Sequence, residues 1–251
     1  MSALPLLARR CRQTLLPLLT AALLSSSFGR PQPAAPPAIL VFSKTAGFHH
    51  NSIPAGLAAL QQLGQAHRFR VDTTSDNSRF TPEQLRTYRA VVFLNTTQDV
   101  LTDPQQQAFE AYIRAGNGFV GIHAAADTEY DWPWYNGLVG AYFLSHPQVQ
   151  TATVRRTSAR HAATAHLPAA WPRTDEWYNF KSLAPGLTVL ATLDETTYSG
   201  GTNGPTHPFA WYHAYDGGRA FYTAGGHTPE SYREPLFLQH LLGGIRYAMG
   251  K

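Results

Sequence analysis

Cysteine is almost absent from this 251-residue chain: Cys11 is the only one. It precedes the apolar run 14–24, so it is not placed like a lipoprotein-anchoring cysteine. If residues 1–30 are removed as a leader, no cysteine remains. A disulfide framework, a thiolate metal site and a cysteine nucleophile are then excluded for the mature protein. Acidic residues are missing from the first 71 positions, Asp72 being the first, and only 14% of all residues are charged. The run 14–24 is eleven residues long, short of the roughly twenty that a helical membrane span needs. No Gly-x-Gly-x-x-Gly follows the first expected strand, so a dinucleotide is not indicated. Gly-x-Ser-x-Gly is missing too, which removes a serine-hydrolase elbow.

The chain carries 20 basic against 16 acidic residues, a formal charge of +4. Arg9, Arg10, Arg12 and Arg30 all lie within residues 1–38. Without those four, 16 basic face 16 acidic residues, and nucleic acid is not an expected partner. Arg9, Arg10 and Arg12, the apolar run and the small residues Ser25, Ser26 and Ser27 read as an export signal over 1–30. The expected location is periplasmic or extracellular, with no membrane attachment once the signal is removed. Residues 31–38, with four prolines, read as a stiff linker.

What is present is a large apolar fraction, 43%, with 12% aromatics, which excludes a disordered chain. The apolar runs 39–43, 69–71, 90–94 and 119–123 read as strands. They alternate with helices expected over 52–63, from Thr81-Pro82-Glu83 to Tyr88, and from Thr102-Asp103-Pro104 to Gly116. Alternation of this kind implies a doubly wound parallel sheet, whose ligands sit at the strands' carboxyl ends. After residue 147 strands are expected at 149–155, 187–193, 209–215 and 219–223, followed by a helix over 231–248. One domain, 39–251, with an irregular and more β-rich second half, accounts for the pattern.

Three expected strand ends carry histidine beside small residues: Gly47-Phe-His49-His50, Gly121-Ile-His123-Ala-Ala-Ala-Asp127 and Gly225-Gly-His227. If the sheet assembles as expected, His50, His123 and His227 converge on one cleft. Imidazole titrates near neutrality and suits proton transfer or metal ligation. Asp127 and Glu176 are the candidate carboxylate partners, and His146 is a further pocket candidate. Trp132, Trp134, Trp177 and Tyr178 are the candidate surface for stacking sugar rings. A divalent metal such as zinc is an open alternative, with His50, His123 and Glu176 as ligands. There is, however, no His-x-x-x-His pair on a helix.

Longer stretches carry a family resemblance. Lys44-Thr-Ala-Gly-Phe-His-His50, Val92-Phe-Leu-Asn-Thr-Thr97, Gly118-Phe-Val-Gly-Ile-His-Ala-Ala-Ala-Asp-Thr-Glu-Tyr-Asp-Trp-Pro-Trp-Tyr135, Thr174-Asp-Glu-Trp-Tyr-Asn179 and Gly217-Gly-Arg-Ala-Phe-Tyr-Thr-Ala-Gly-Gly-His227 resemble the trehalose-utilisation (ThuA-like) family. The resemblance spans about 39–249. It implies a flavodoxin-like, three-layer fold with a mainly parallel sheet, related to class I glutamine amidotransferases. That superfamily places a catalytic cysteine at a sharp turn after a strand, where this chain has His123, so amidotransfer through a thioester is excluded. His227 resembles the superfamily's late histidine. His49 stands where the family often has arginine, so only His50 inherits a role.

The expected function is that of an exported protein of carbohydrate metabolism, acting on trehalose or a related glycoside or keto-sugar. The favoured form is a hydrolase or lyase using His50, His123, Asp127, Glu176 and His227. A non-catalytic sugar-binding module is the rival.

Overall fold

The computed structural model describes residues 1–3, 35–158 and 160–251. Residues 4–30 of the leader expected at 1–30 and residues 31–34 of the linker expected at 31–38 lie outside the described residues. Two units are distinguished, Met1–Ala35 and Pro36–Lys251, and the architecture is that of the second.

Proline marks where the helices begin. All five α-helices among the described residues have it in the first turn, where the missing N–H costs nothing and the fixed φ suits the helix. These are α1 (Ile53–His67), α2 (Pro82–Leu85), α3 (Asp103–Arg114), α4 (Pro133–Val139) and α5 (Pro235–Ala248). The last corrects the expected helix 231–248. Pro235 cannot continue a helix from its N-terminal side, and Glu234 before it is extended. Pro229–Arg233 forms a separate 3₁₀ turn instead.

The strands are β1 (Ala38–Phe42), β2 (Arg70–Thr74), β3 (Ala90–Leu94), β4 (Gly118–Ile122), β5 (Tyr142–Ser145), β6 (Gln150–Arg156), β7 (Ala170–Asp175), β8 (Asn179–Lys181), β9 (Thr188–Asp194), β10 (Pro208–Tyr215) and β11 (Gly218–Thr223). Ala38 thus belongs to the sheet rather than to the linker, and β5, β7 and β8 were not legible as strands. One sheet runs β2-β1-β3-β4-β11-β10-β9-β6-β7, and β5 pairs separately with β8. The first five strands are parallel, and the remaining four alternate in direction. This is the flavodoxin-like plan with an antiparallel extension.

Strands β1, β3 and β4 are buried at every residue, as a sheet covered on both faces requires. Adjacent side chains of β3 show the two layers. Phe93 stacks on Phe109 of α3 at 5.5 Å, while Leu94 packs under Gly56 of α1. Gly118 lets β4 approach α5, since a Cβ there would lie 2.0 Å from the Ala248 carbonyl oxygen.

His240 of α5 is fully buried; its Nδ1 lies 2.8 Å from the Ala163 carbonyl and its Nε2 3.1 Å from Thr223 Oγ1. The carbonyl can only accept, so Nδ1 carries the proton and the hydroxyl donates to Nε2. Burial pushes this imidazole down from 6.5 to about 3. Below pH 6.5 the unfolded chain takes up a proton that the native chain refuses, so stability falls as the pH drops toward 3. His240→Gln should flatten that part of the acid limb in urea titrations run across this window. An unchanged pH slope would remove His240 from the account.

Candidate functional site

Because β1, β3, β4 and β11 are parallel, their carboxyl ends open at one edge of the sheet. The loops leaving them are tied together by buried hydrogen bonds. Asn95, just past β3, donates to Ser52 Oγ at 2.9 Å and to the Gly226 carbonyl at 3.2 Å. Ser52 Oγ donates to that same carbonyl at 3.1 Å. His50, His123 and His227 are thereby brought together as the strand pattern suggested. Their ring centroids form a near-equilateral triangle with sides of 5.0, 5.1 and 5.2 Å.

His123 leaves β4 with φ 49°, in the left-handed region that costs a side-chain-bearing residue of order 1 kcal/mol or more. Two contacts hold it there. Tyr222 Oη donates to its carbonyl at 2.7 Å, and His123 Nδ1 donates to the Ala224 carbonyl at 2.8 Å. Since the carbonyl accepts, Nδ1 carries a proton, and Nε2 is the ring nitrogen that faces the cluster.

Glu176 completes the group from the end of β7. Its Oε2 lies 3.1 Å from His227 Nδ1 and 3.4 Å from His123 Nε2, and its Oε1 lies 3.0 Å from His146 Nδ1. Burial favours the neutral acid, but the His123 and His227 contacts outweigh it and hold the carboxyl well below the usual carboxylate range. His227 is shifted up, Glu176 outweighing its burial. His50 goes the other way, pushed down to about 2 by burial with repulsion from His123 and His227 added. One base is kept neutral while another is helped to hold a proton. Among the described residues, His50, His123, Glu176 and His227 form a group with metal-ligating spacing, one donor atom of each within 4.8 Å of the others.

A residue not singled out from the sequence builds this arrangement. Asp175 is fully buried, and its carboxylate accepts from the backbone N–H of Gly226 at 2.9 Å, His227 at 3.1 Å and Glu176 at 3.0 Å. Ser231 Oγ donates to it at 2.9 Å, and Arg173 Nη2 lies 3.1 Å away. Strand β7 alternates strictly, turning Trp171, Arg173 and Asp175 inward. The guanidinium of Arg173 sits over the rings of Phe237 at 4.5 Å and Trp171 at 4.8 Å. The signal was present as an alternating Trp-x-Arg-x-Asp; charges at inward positions hid it, because such residues normally face water.

A cavity of about 250 Å³ opens against the cluster. Phe48, Phe143 and Tyr178 form its aromatic walls, and Asp127, His146 and Glu176 supply polar groups. Tyr178 lies over His123 with centroids 4.2 Å apart. Its carbonyl lies 2.8 Å from Nε2 of buried His207, which donates, while His207 Nδ1 is 2.7 Å from Glu195. Asp127 accepts a hydrogen bond from Tyr130 Oη at 2.5 Å, and burial shifts its carboxyl up.

Three of the four residues expected to stack sugar rings are elsewhere. Trp132 is buried and donates to Glu110, Trp134 donates to Asp216 beside the β10–β11 turn, and Trp177 is fully buried and donates to the Gln150 carbonyl. Their indoles serve packing and brace polar groups, because each N–H finds its partner in the fold. Glu129, two residues after Asp127, is a brace: it is buried and accepts from the N–H groups of Val100 and Leu101 and from Gln106.

The sequence pattern of the ThuA family, described as trehalose utilisation, matches residues 38–248. The chain belongs to the ThuA family. Membership places it broadly in carbohydrate metabolism. Among solved structures it is similar to a ThuA-like protein from Bacteroides uniformis ATCC 8492, with a TM-score of 0.75 and 24% identity over 88% of this chain and 95% of that one. A ThuA-like protein from Parabacteroides merdae ATCC 43184 gives 0.69 and 20%, over 86% and 91%. A β-galactosidase from Bacillus circulans sp. alkalophilus gives 0.56 and 13%, over 84% of this chain but 31% of its own. At these identities the likenesses show a shared fold. No curated protein matches the chain.

Within this ThuA domain, Asp175→Ala should cost about 3–5 kcal/mol, because it leaves three backbone N–H groups unpaired and removes one of the two carboxylates that face the buried Arg173 guanidinium. The shift in urea midpoint measures it. A loss below about 1 kcal/mol would show that Asp175 does not anchor the site.

Proposed function

We propose that the protein is an exported enzyme of carbohydrate metabolism, a hydrolase or lyase, which binds one sugar ring in the cavity beside the histidine cluster. The supporting observation is the pocket itself, lined by aromatic rings and by two carboxyl groups of opposite tendency. Asp127 is shifted up and Glu176 down, the separation that lets one acid give a proton and the other remain an anion. Asp127 is the proton donor in this reading. His227, beside the Glu176 carboxylate, is the second proton-transfer group in this reading, and neutral His50 is available as an acceptor.

Size argues for a single ring. A cavity of about 250 Å³ is smaller than the roughly 300–1,000 Å³ that encloses drug-sized ligands, so the second unit of a disaccharide would lie outside. Phe48 is 64% exposed at the rim and is a face for that outer unit. Trehalose, related glycosides and their keto forms are the substrates to test. Nucleic acid is not a proposed partner, since the four excess positive charges all fall in residues 1–38. A thioester route has no nucleophile, because residues 39–251 contain no cysteine.

Purified protein should convert one of these sugars, with product followed by chromatography. Asp127→Asn and His227→Gln should each lower kcat by about 10²–10⁴ while binding persists. Saturable binding with no product in the wild type would favour the sugar-binding module. Phe48→Ala should raise KM for a disaccharide more than for a monosaccharide derivative, and equal effects would place the outer unit elsewhere.

A further inference from the structure

We infer that His50, His123, Glu176 and His227 form a binding site for one divalent cation of the zinc type at the floor of the cavity. The proposal rests on the same pocket as the proposed function and deepens it by naming a cofactor class: with the cation bound, His50 and His227 act as ligands instead of proton carriers, and Asp127 remains the proton donor.

Unsatisfied atoms carry the argument. Nδ1 of His50, Nε2 of His123 and Nδ1 of His227 are all buried and have no hydrogen-bond partner among the described residues. His123 is 0% exposed and His50 3%. A buried polar atom left unpaired costs about 1–3 kcal/mol, and native proteins hold few of them. Three such nitrogens in one cluster call for a shared partner.

The carboxylate is close but does not fill that role. Glu176 Oε2 comes within 3.1 Å of His227 and 3.4 Å of His123, yet neither nitrogen meets it along an N–H···O line. Those separations suit a different relation. Donors set about 2.0–2.1 Å from a tetrahedral zinc are about 3.3–3.4 Å from one another, so neighbouring ligands stand at this spacing without bonding each other. The three rings meet nearly at right angles, with interplanar angles of 86°, 85° and 74°, as imidazoles grouped about a common centre would.

The surroundings orient the donors. His123 spends its Nδ1 proton on the Ala224 carbonyl, which fixes the ring and leaves Nε2 bare toward the cluster, the role an outer hydrogen bond plays for a ligating histidine. Asp175 holds the backbone at His227 and Glu176 together, so two donors from β7 and β11 keep one spacing. His146 lies against the other carboxylate oxygen, which leaves Oε2 for the cation. Three nitrogens and one oxygen select zinc or a similar transition metal over magnesium or calcium, which take mostly oxygen. His50, Glu176 and His227 line the cavity, so the cation faces the space where substrate would lie.

The test uses untagged full-length protein stripped by chelator and titrated with Zn²⁺ by calorimetry and with Co²⁺ by visible absorption. The expected result is one equivalent bound, with Co²⁺ showing ligand-field bands of a four- or five-coordinate site. Glu176→Gln and His123→Gln should weaken binding at least about 100-fold while far-UV circular dichroism remains native, since changes one shell further out already cost 10–100-fold. His213→Gln, which alters a buried imidazole that contacts the Leu138 carbonyl, should bind like the wild type. No binding by the wild type overturns the inference, as does one equivalent retained by folded Glu176→Gln and His123→Gln. Specific binding without any sugar turnover upholds the cation site and counts against the proposed enzyme alone. Turnover by wild type that binds no metal does the reverse.

Discussion

The buried carboxylate of Asp175 is the contact on which the site depends. Strand β7 is the far edge of the main sheet in hydrogen-bonding order, five places from β4. Its last residue nevertheless accepts hydrogen bonds from the loop after β11, so the antiparallel half must curl back over the parallel one. A buried charge is expensive unless it is paired and its lone pairs are filled. Here one carboxylate takes two N–H groups from the far loop, one from Glu176, a serine hydroxyl and a guanidinium. The cost of burying it is offset only when all of these parts are in place. That requirement joins the fold to the spacing of the functional side chains.

Around that anchor the histidines are kept in different states by their surroundings. His50 sits deep beside two other imidazoles and stays neutral. His227 borders the Glu176 carboxylate and holds its proton more firmly. His123 is oriented by a carbonyl behind it and by a left-handed backbone that two hydrogen bonds enforce. Three residues of one chemical type thereby acquire three different environments. The difference comes from what lies behind each ring rather than from the ring itself.

The fold by itself says little about the chemistry. A similar arrangement covers under a third of a β-galactosidase chain, and an α/β sheet of this kind supports many activities. The candidate site rests on the side chains at the carboxyl edge, where the parallel strands open and their loops are tied together.

The sequence by itself determined the parallel core, the starts of α1, α2 and α3 and the gathering of His50, His123 and His227. Period, proline and strand-end position are local signals, and in a parallel sheet strand ends necessarily share one edge. Only the tertiary structure decided which aromatics line the cavity and which carboxylate braces the cluster. Trp132, Trp134 and Trp177 found partners within the fold for their indole N–H groups, whereas Phe48, Phe143 and Tyr178 were left to wall the cavity. Asp175 and Arg173 were inseparable in sequence from ordinary surface charges. Their burial rests on β7 meeting the end of β11, a contact between residues about fifty positions apart that no local pattern encodes.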